Sequence, residues 1–281
     1  MNLNEFIRLS LEEDTGSGDH TSLACIPSTA KGKATLIVKD HGVLAGIDLA
    51  KQVFHHLDPS MIFHQTLNDG DQIEPGMIAF TIVGSEHHIL RGERLVLNCM
   101  QRMSGIATTT RKYVERLKGL HTQVLDTRKT TPLMRDLEKW AVRIGGGTNH
   151  RMGLYDMILI KDNHIDYAGG IVNAIRNTKE YLNKNKLVIP VEIETRNLAE
   201  VKLVLEEGNV NRIMLDNFSP ALLKQAIELI NGKYETEASG GITLDTIREY
   251  AETGVDFVSI GALTHSVKSL DLSLKAVKKE A

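Results

Sequence analysis

Beyond residue 120 the chain repeats one arrangement of apolar and polar positions. A short continuous apolar run is followed by a polar or glycine-rich break, and then by a stretch with apolar residues at helical spacing. The runs are QVLDT, MILIK, VIPVEIE, RIMLDN, TEASG and FVSIG, and LAEVKLVLEE, PALLKQAIELI and LDTIREYAETG lie between several of them. Such runs read as buried strands, and their alternation with amphipathic helices predicts a parallel α/β architecture, best met by a barrel of βα units. Upstream of residue 105 the texture differs. Leu3, Phe6 and Ile7 mark a short helix, KATLIVKDHGVLAG alternates and breaks at glycine, DLAKQVFHHL has helical spacing, and NDGDQIEPGMIAFTIVG reads as strands joined by turn residues. A long helix is predicted over 88–103, apolar at Leu90, Leu97, Met100 and Met103, with Arg91, Arg94, Asn98 and Gln101 forming a polar stripe. Periodicity alone reads that stripe as a solvated face.

In α/β barrels the chemistry gathers at the C-terminal ends of the strands. Here QVLDT leads into Asp126-Thr127-Arg128-Lys129 and MILI into Lys161-Asp162-Asn163-His164. VIPVEIE carries Glu192 and Glu194 on one side, RIML ends at Asp216-Asn217, TEA at Ser239-Gly240-Gly241, and FVSI at Gly261-Ala262. Solvation explains one such end, but the convergence of them all predicts a ligand site. Arg128, Lys129, Arg151 and Lys161 are cationic, and His150 can be. Cations aimed into one mouth repel one another, so the natural occupant is an anion of several charges, which guanidinium groups grip in bidentate fashion. Glu194 and Asp216 suit ribose hydroxyls or Mg²⁺, which takes few carboxylates plus phosphate oxygens. Salt bridges to the same basic residues are the plainer alternative. Glycines in ASGGI and IGALTHS let backbone N–H groups approach a phosphate, although tight turns also use glycine. The GGG at 145–147 and the following Thr148-Asn149-His150-Arg151 belong either to the site or to a mobile surface loop. Asp19 and His20 read as turn residues, Trp140 as a packing residue, and the adjacent pairs His55-His56 and His87-His88 lack the i, i+4 spacing of helical metal ligands.

The 281 residues, 42% hydrophobic and 25% charged, are enough for one large domain, or for a large one with a smaller companion. The net charge of −3, without a basic run, gives no reason to expect nucleic acid. An anionic ligand must then be drawn by a local cluster. Cys25 and Cys99 make neither a metal-ligand spacing nor a disulfide framework, and read as reduced thiols. No apolar run approaches the ~18 residues of a spanning helix. MNLNEFIRLSLEED has no signal-peptide pattern. The expectation is a cytoplasmic protein with no membrane partner.

The residues singled out above resemble those of the quinolinate phosphoribosyltransferase family. The matching stretches are LEEDTGSGDHTS, GERLVLNCMQRMSGIAT, LDTRKTTP, LEKWAVRIGGGTNHRMGLYDMILIKDNHI, VEIE, IMLDN, EASGGI and GVDFVSIGALTHS, in the family's order from residue 11 to residue 266. Where the family usually reads TTPGLR, this chain has Thr131-Pro132-Leu133-Met134-Arg135, which implies a stiffer loop. The resemblance implies an α/β fold of two parts. An irregular, incomplete parallel α/β barrel at 105–266 holds the active site, and an N-terminal α/β sandwich-like domain at 1–104 is rejoined by 267–281. It also implies a homodimer, or a dimer-based hexamer, with shared active sites, Arg94 reaching into the partner's. Arg128, His150 and Arg151 match positions that hold a pyridine dicarboxylate, and Thr127 stands in the same substrate-binding motif. Lys129 and Lys161 match catalytic positions between that ring and the activated sugar. Glu194 and Asp216 match catalytic positions near the ribose and Mg²⁺, touching the metal directly or through water. Ser239, Gly240 and Gly261 match the cradle of a 5-phosphate.

The implied reaction joins quinolinate to phosphoribosyl pyrophosphate and releases carbon dioxide, pyrophosphate and nicotinate mononucleotide, a precursor of NAD. It needs no nucleophilic Ser, Cys or His. Two alternatives stand against it. A relative acting on another acid, such as a nicotinate-specific enzyme or the molybdenum-transport-associated paralogue, would not need the complete set of Arg94, Arg128, His150 and Arg151. A non-catalytic phosphometabolite-binding protein could shed Lys129, Lys161, Glu194 or Asp216, and all four are present.

Overall fold

The structure, a computed structural model, describes residues 2–277. Residues 1 and 278–281, the two extremes of the expected N-terminal domain, lie outside it. The chain divides into two compact units: Met1–Arg111 with Thr131–Gly146 and Ser266–Ala281, and Lys112–Thr130 with Gly147–His265. The expected division at 104/105 differs from this one, which assigns residues 105–111 and 131–146 to the first unit.

The chain opens with α1 (Leu3–Thr15), α2 (His20–Cys25), β1 (Lys31–Val38), β2 (Gly42–Val43), α3 (Ile47–Leu57), β3 (Ile62–Gln65), β4 (Gln72–Ile73), β5 (Ile78–Ser85) and α4 (Glu86–Arg116). After β6 (Gln123–Leu125), which belongs to the second unit, α5 (Arg135–Ile144) returns to the first. Then come β7 (Ile158–Ile160), α6 (Asp162–Ala168), α7 (Ile171–Asn185), β8 (Val191–Thr195), α8 (Leu198–Glu207), β9 (Arg212–Asp216), α9 (Pro220–Ile230), β10 (Glu235–Ser239), α10 (Ile247–Ala251), β11 (Phe257–Ser259), α11 (Ala262–His265) and β12 (Leu272–Ala276).

The first unit is built on an antiparallel sheet in the order β12-β1-β5-β3, so the C-terminal strand does rejoin the N-terminal half of the chain. Ile47, Leu49, Ala50, Val53 and Phe54 of α3 are buried, and the Phe54 ring meets Phe80 of β5 edge-on at 6.2 Å. Asp69 stabilises the start of α3, its Oδ1 accepting the amides of Gly46 and Ile47 at 2.7 and 2.9 Å. Asp19, expected in a turn, is the N-cap of α2 and accepts the Ser22 amide.

Helix α4 runs well past the predicted 88–103, because buried Ile106, Ala107 and Tyr113 continue the apolar spacing. Its polar stripe has mixed roles. Arg91 donates to Thr15 and Gln101 to the Leu272 carbonyl, while Arg94 and Asn98 are exposed. Leu90, expected on the apolar face, is exposed too. Helix α5 escapes a reading of apolar period, since its buried face holds Glu138 and Lys139 beside Leu137, Ala141 and Val142. Glu138 is held by Arg102 of α4 at 2.6 Å and by the Thr131 amide at 3.2 Å. Trp140, expected to pack, is only half-buried.

The second unit is a parallel sheet in the order β6-β11-β10-β9-β8-β7. Its end strands, β6 and β7, do not pair with each other among the described residues. This is the incomplete barrel that the family resemblance implies. The segment after the GGG is ordered against β6: the Thr148 amide donates to the Val124 carbonyl at 2.8 Å and the Asp126 amide to the Thr148 carbonyl at 3.2 Å. These bonds rule out a mobile surface loop immediately after Gly147. In-register neighbours of a parallel sheet point to the same face. Lys161 comes directly after β7, next to Glu194. Glu192 and Glu194, then Arg212, Met214 and Asp216, then Glu235, Glu237 and Ser239 share that face.

Candidate active site

The ends of the parallel strands bring together eleven of the twelve expected site residues: Thr127, Arg128, Lys129, His150, Arg151, Lys161, Glu194, Asp216, Ser239, Gly240 and Gly261 all lie in the second unit. The twelfth, Arg94, belongs to the first, exposed on α4.

After β6 the chain bends so that the Thr127 hydroxyl accepts the Lys129 amide at 3.0 Å, and Thr264 of α11 donates to the Lys129 carbonyl at 2.8 Å. The Lys129 side chain passes over Gly261, where an added Cβ would stand 3.0 Å from its Cδ. Glycine at 261 thus leaves room for the lysine stem. At Gly240 the reason is stronger, since φ is +94° and a Cβ would overlap the Asn217 side chain. Asp216, at the end of β9, accepts hydrogen bonds from the Ser239 hydroxyl and the Asn217 amide.

Across the mouth, Lys161 Nζ stands 3.3 Å from Glu194 Oε2, so the plainer salt-bridge reading of Glu194 holds for this pair. Burial raises the Glu194 carboxyl; the Lys161 charge opposes this and the Asp216 charge adds to it. Two carboxylates near enough to repel, with only oxygen donors, are a set that fits a hard divalent cation. A cation between them would relieve their repulsion.

The basic side has the complementary problem. Burial lowers the Arg151 guanidinium below the usual arginine value, and the charge of Arg128 lowers it further. Arg128 Nε is buried without a hydrogen-bond acceptor. Two guanidinium groups that repel one another, one with an unsatisfied buried donor, are suited to an anion.

His150 lies below this mouth, 8% exposed. Its Nε2 is 3.0 Å from Glu192 Oε2 and 3.3 Å from Glu237 Oε2, and its Nδ1 accepts the Arg151 amide at 2.7 Å. Asp126, fully buried, fixes the backbone here by accepting the amide of His150 at 2.9 Å. Glu237 also pairs with Arg212, 3.2 Å away. Burial alone would lower His150, but the carboxylates of Glu192 and Glu237 beside its Nε2 outweigh it and raise the ring. Burial first, and then the charge of Glu237, push Glu192 up to about 7. A doubly protonated ring would aim an Nδ1 proton at the Arg151 amide, so we assign the tautomer with one proton, on Nε2. The same assignment argues against a metal held by His150, Glu192 and Glu237. Their donor atoms lie within 4.8 Å of one another, but Nε2 offers a proton where a metal needs a lone pair.

Sequence reasoning identified the mouth and missed the layer beneath it. Motif and period give no role to Glu192, Arg212 or Glu237. The available signal was charge at inward positions of strands that are otherwise apolar.

Two family models match the chain: Quinolinate phosphoribosyl transferase, N-terminal domain, over residues 19–104, and Quinolinate phosphoribosyl transferase, C-terminal domain, over residues 106–275. The chain is 50% identical to the chloroplastic nicotinate-nucleotide pyrophosphorylase [carboxylating] of Oryza sativa subsp. japonica, across 97% of this chain and 77% of that one. It is 43% identical to a probable nicotinate-nucleotide pyrophosphorylase [carboxylating] of Bacillus subtilis (strain 168), across 93% and 89%. The crystal structure of NadC from Streptococcus pyogenes superposes with a TM-score of 0.91 at 40% identity, covering 98% of this chain and 97% of that one. With both family models in chain order and relatives this similar over nearly the whole length, the chain belongs to the quinolinate phosphoribosyl transferase family.

Proposed function

We propose that this protein is a decarboxylating phosphoribosyltransferase that converts quinolinate and phosphoribosyl pyrophosphate to nicotinate mononucleotide, pyrophosphate and carbon dioxide, in NAD biosynthesis. The observation that carries the reading is the pair Arg128 and Arg151, mutually repelling, with Arg128 Nε buried and without an acceptor. A ring bearing two adjacent carboxylates supplies the missing charge and acceptors.

In this reading Arg128 and Arg151 hold the dicarboxylate, with Thr127 shaping the turn that presents them. Lys129 and Lys161 stand between ring and sugar. Glu194 and Asp216 face the ribose, and Ser239, Gly240 and Gly261 receive the 5-phosphate. Mg²⁺, for which Glu194 and Asp216 are the fitting donors, directly or through water, would supply positive charge to the departing pyrophosphate. The residues contribute mainly position and electrostatics. The ring nitrogen attacks C1 of the sugar as the bond to pyrophosphate breaks. Loss of the 2-carboxylate as carbon dioxide leaves its electron pair on C2, beside the cationic ring nitrogen, and C2 then takes up a proton from water to give the product. Lys161, freed from Glu194, is placed to stabilise the negative charge on C2 before it is protonated. Arg94, exposed on α4, is the residue we assign to a neighbouring subunit's site in a homodimer or dimer-based hexamer. The two unpaired cysteines suit a cytoplasmic setting, and among the described residues no helix is long and apolar enough to cross a membrane.

Calorimetric titration tests the receptor. Quinolinate should bind about tenfold or more tightly than nicotinate, since one charge-assisted bond contributes ~1.5–3 kcal/mol, and Arg128→Ala should remove most of that difference. Equal affinity for the two acids would overturn this reading.

A further inference from the structure

The inner face of a parallel α/β barrel is normally filled by branched apolar side chains. Here it carries a chain of charge. Arg212, at the start of β9, pairs with Glu235 at 2.9 Å and Glu237 at 3.2 Å. Glu237 and Glu192, both fully buried, flank the Nε2 of His150, and the other ring nitrogen accepts the Arg151 amide. Arg151 in turn donates through Nη1 to the Met157 carbonyl at 3.2 Å. Burying two carboxylates beneath a cationic mouth costs desolvation that apolar packing would avoid, so the arrangement calls for a use other than stability.

We infer that Glu192 and Glu237 are positioning residues for the acid substrate: they clamp the His150 ring through its Nε2 proton, and the ring fixes the Arg151 backbone so that its guanidinium faces the mouth beside Arg128. This rests on the proposed activity and adds to it. Nε2 of His150 faces the two carboxylates and Nδ1 holds the Arg151 amide, so the histidine acts on the substrate through Arg151. The clamp also explains why Arg128 and Arg151 stay together despite their repulsion. Tethers on the Arg151 backbone, at the Nδ1 of His150, and on its side chain, at the Met157 carbonyl, oppose their separation. The principle is the one by which partners behind a ligand-binding group set its orientation.

The test separates clamp from charge. Glu192→Met keeps volume and removes the acceptor; Glu192→Gln keeps an acceptor and removes the charge. Steady-state kinetics of the full-length protein should show the KM for quinolinate raised about tenfold by Glu192→Met, the loss of one well-placed hydrogen bond to a charged group, with the KM for phosphoribosyl pyrophosphate and kcat within about twofold. Glu192→Gln should recover most of the quinolinate KM. Equal shifts in both KM values, or a Gln variant as impaired as Met with an unchanged thermal midpoint, would overturn the positioning role. Should Glu192→Met not fold, Glu237→Met tests the same clamp and leaves Arg212 its pair with Glu235. A readout independent of turnover is the imidazole Nε2 proton of ¹⁵N-labelled protein. It should give a slowly exchanging downfield resonance that vanishes in Glu192→Met and persists in Glu192→Gln. A wild-type protein that shows this resonance but does not turn over quinolinate would remove the proposed activity, and the clamp as a substrate device with it. A wild-type protein active on quinolinate without the resonance would remove the clamp alone.

Discussion

In the first unit, Glu138 is fully buried on α5, and Arg102 and the Thr131 amide hold its carboxylate. Asp69, also in that unit, is raised by burial and accepts two amides at the head of α3. In the second unit Arg128 and Arg151 face like charge, one with a buried donor unsatisfied, and Glu194 and Asp216 face like charge across the same mouth. Glu138 and Asp69 in the first unit are matched by protein partners, whereas Arg128 Nε at the mouth of the second is not. Depth of burial alone therefore does not mark the functional site, since Glu138 is more buried than any of the catalytic candidates. In the proposed function, unmet pairing of charge marks it.

The contrast between the units can be broken in steps of decreasing effect. Lys161→Ala should lower turnover by about a thousandfold, the scale of removing a preorganised electrostatic group, while the circular dichroism spectrum stays unchanged. Near-normal turnover would mean the mouth is misplaced. Arg102→Ala should act on stability instead. It leaves a buried carboxylate without its cation and should cost about 3 kcal/mol in denaturant unfolding, with quinolinate affinity retained by the folded fraction. An affinity loss matching that of Arg128→Ala would erase the distinction between the units.

Much of this was legible from residue order. The alternation of apolar runs and helices beyond residue 120 predicts the parallel sheet, and polar residues at the strand ends predict the mouth, because both depend on local period. Less legible were features set by tertiary pairing. Glu138 and Lys139 are buried by partners far away in sequence, which hides α5, and the Glu192–His150–Glu237 cluster needs three distant segments in register. The loop at 131–135 lies between these cases. Leu133 replaces the usual family glycine, and its backbone is left-handed with φ 66°. The side chain is 76% exposed and so loses little packing when removed. Leu133→Gly should therefore stabilise the first unit by about 1 kcal/mol, the cost of a left-handed non-glycine residue, and a lower thermal midpoint would show that the leucine has a partner.

The smallest effect concerns the thiols. Burial pushes Cys99 up to about 12, whereas Cys25 is exposed. An acid raised in the folded state contributes stability below its ordinary value of 9, and loses it as pH rises toward 12. Near neutrality Cys99 should thus be inert. Iodoacetamide at pH 8 should label Cys25 alone, and Cys99 only after denaturation. Labelling of Cys99 in the native protein would show that the first unit opens more readily than its burial implies.

The central claim is that the mouth is a dicarboxylate receptor joined to a phosphoribosyl site. The most direct test incubates the purified protein with quinolinate, phosphoribosyl pyrophosphate and Mg²⁺ and tracks carbon dioxide and nicotinate mononucleotide together, with nicotinate as a parallel substrate. Equal amounts of both products from quinolinate, and none from nicotinate, is the predicted result. Absence of product from quinolinate would contradict it and leave the paired guanidinium groups to serve another acid.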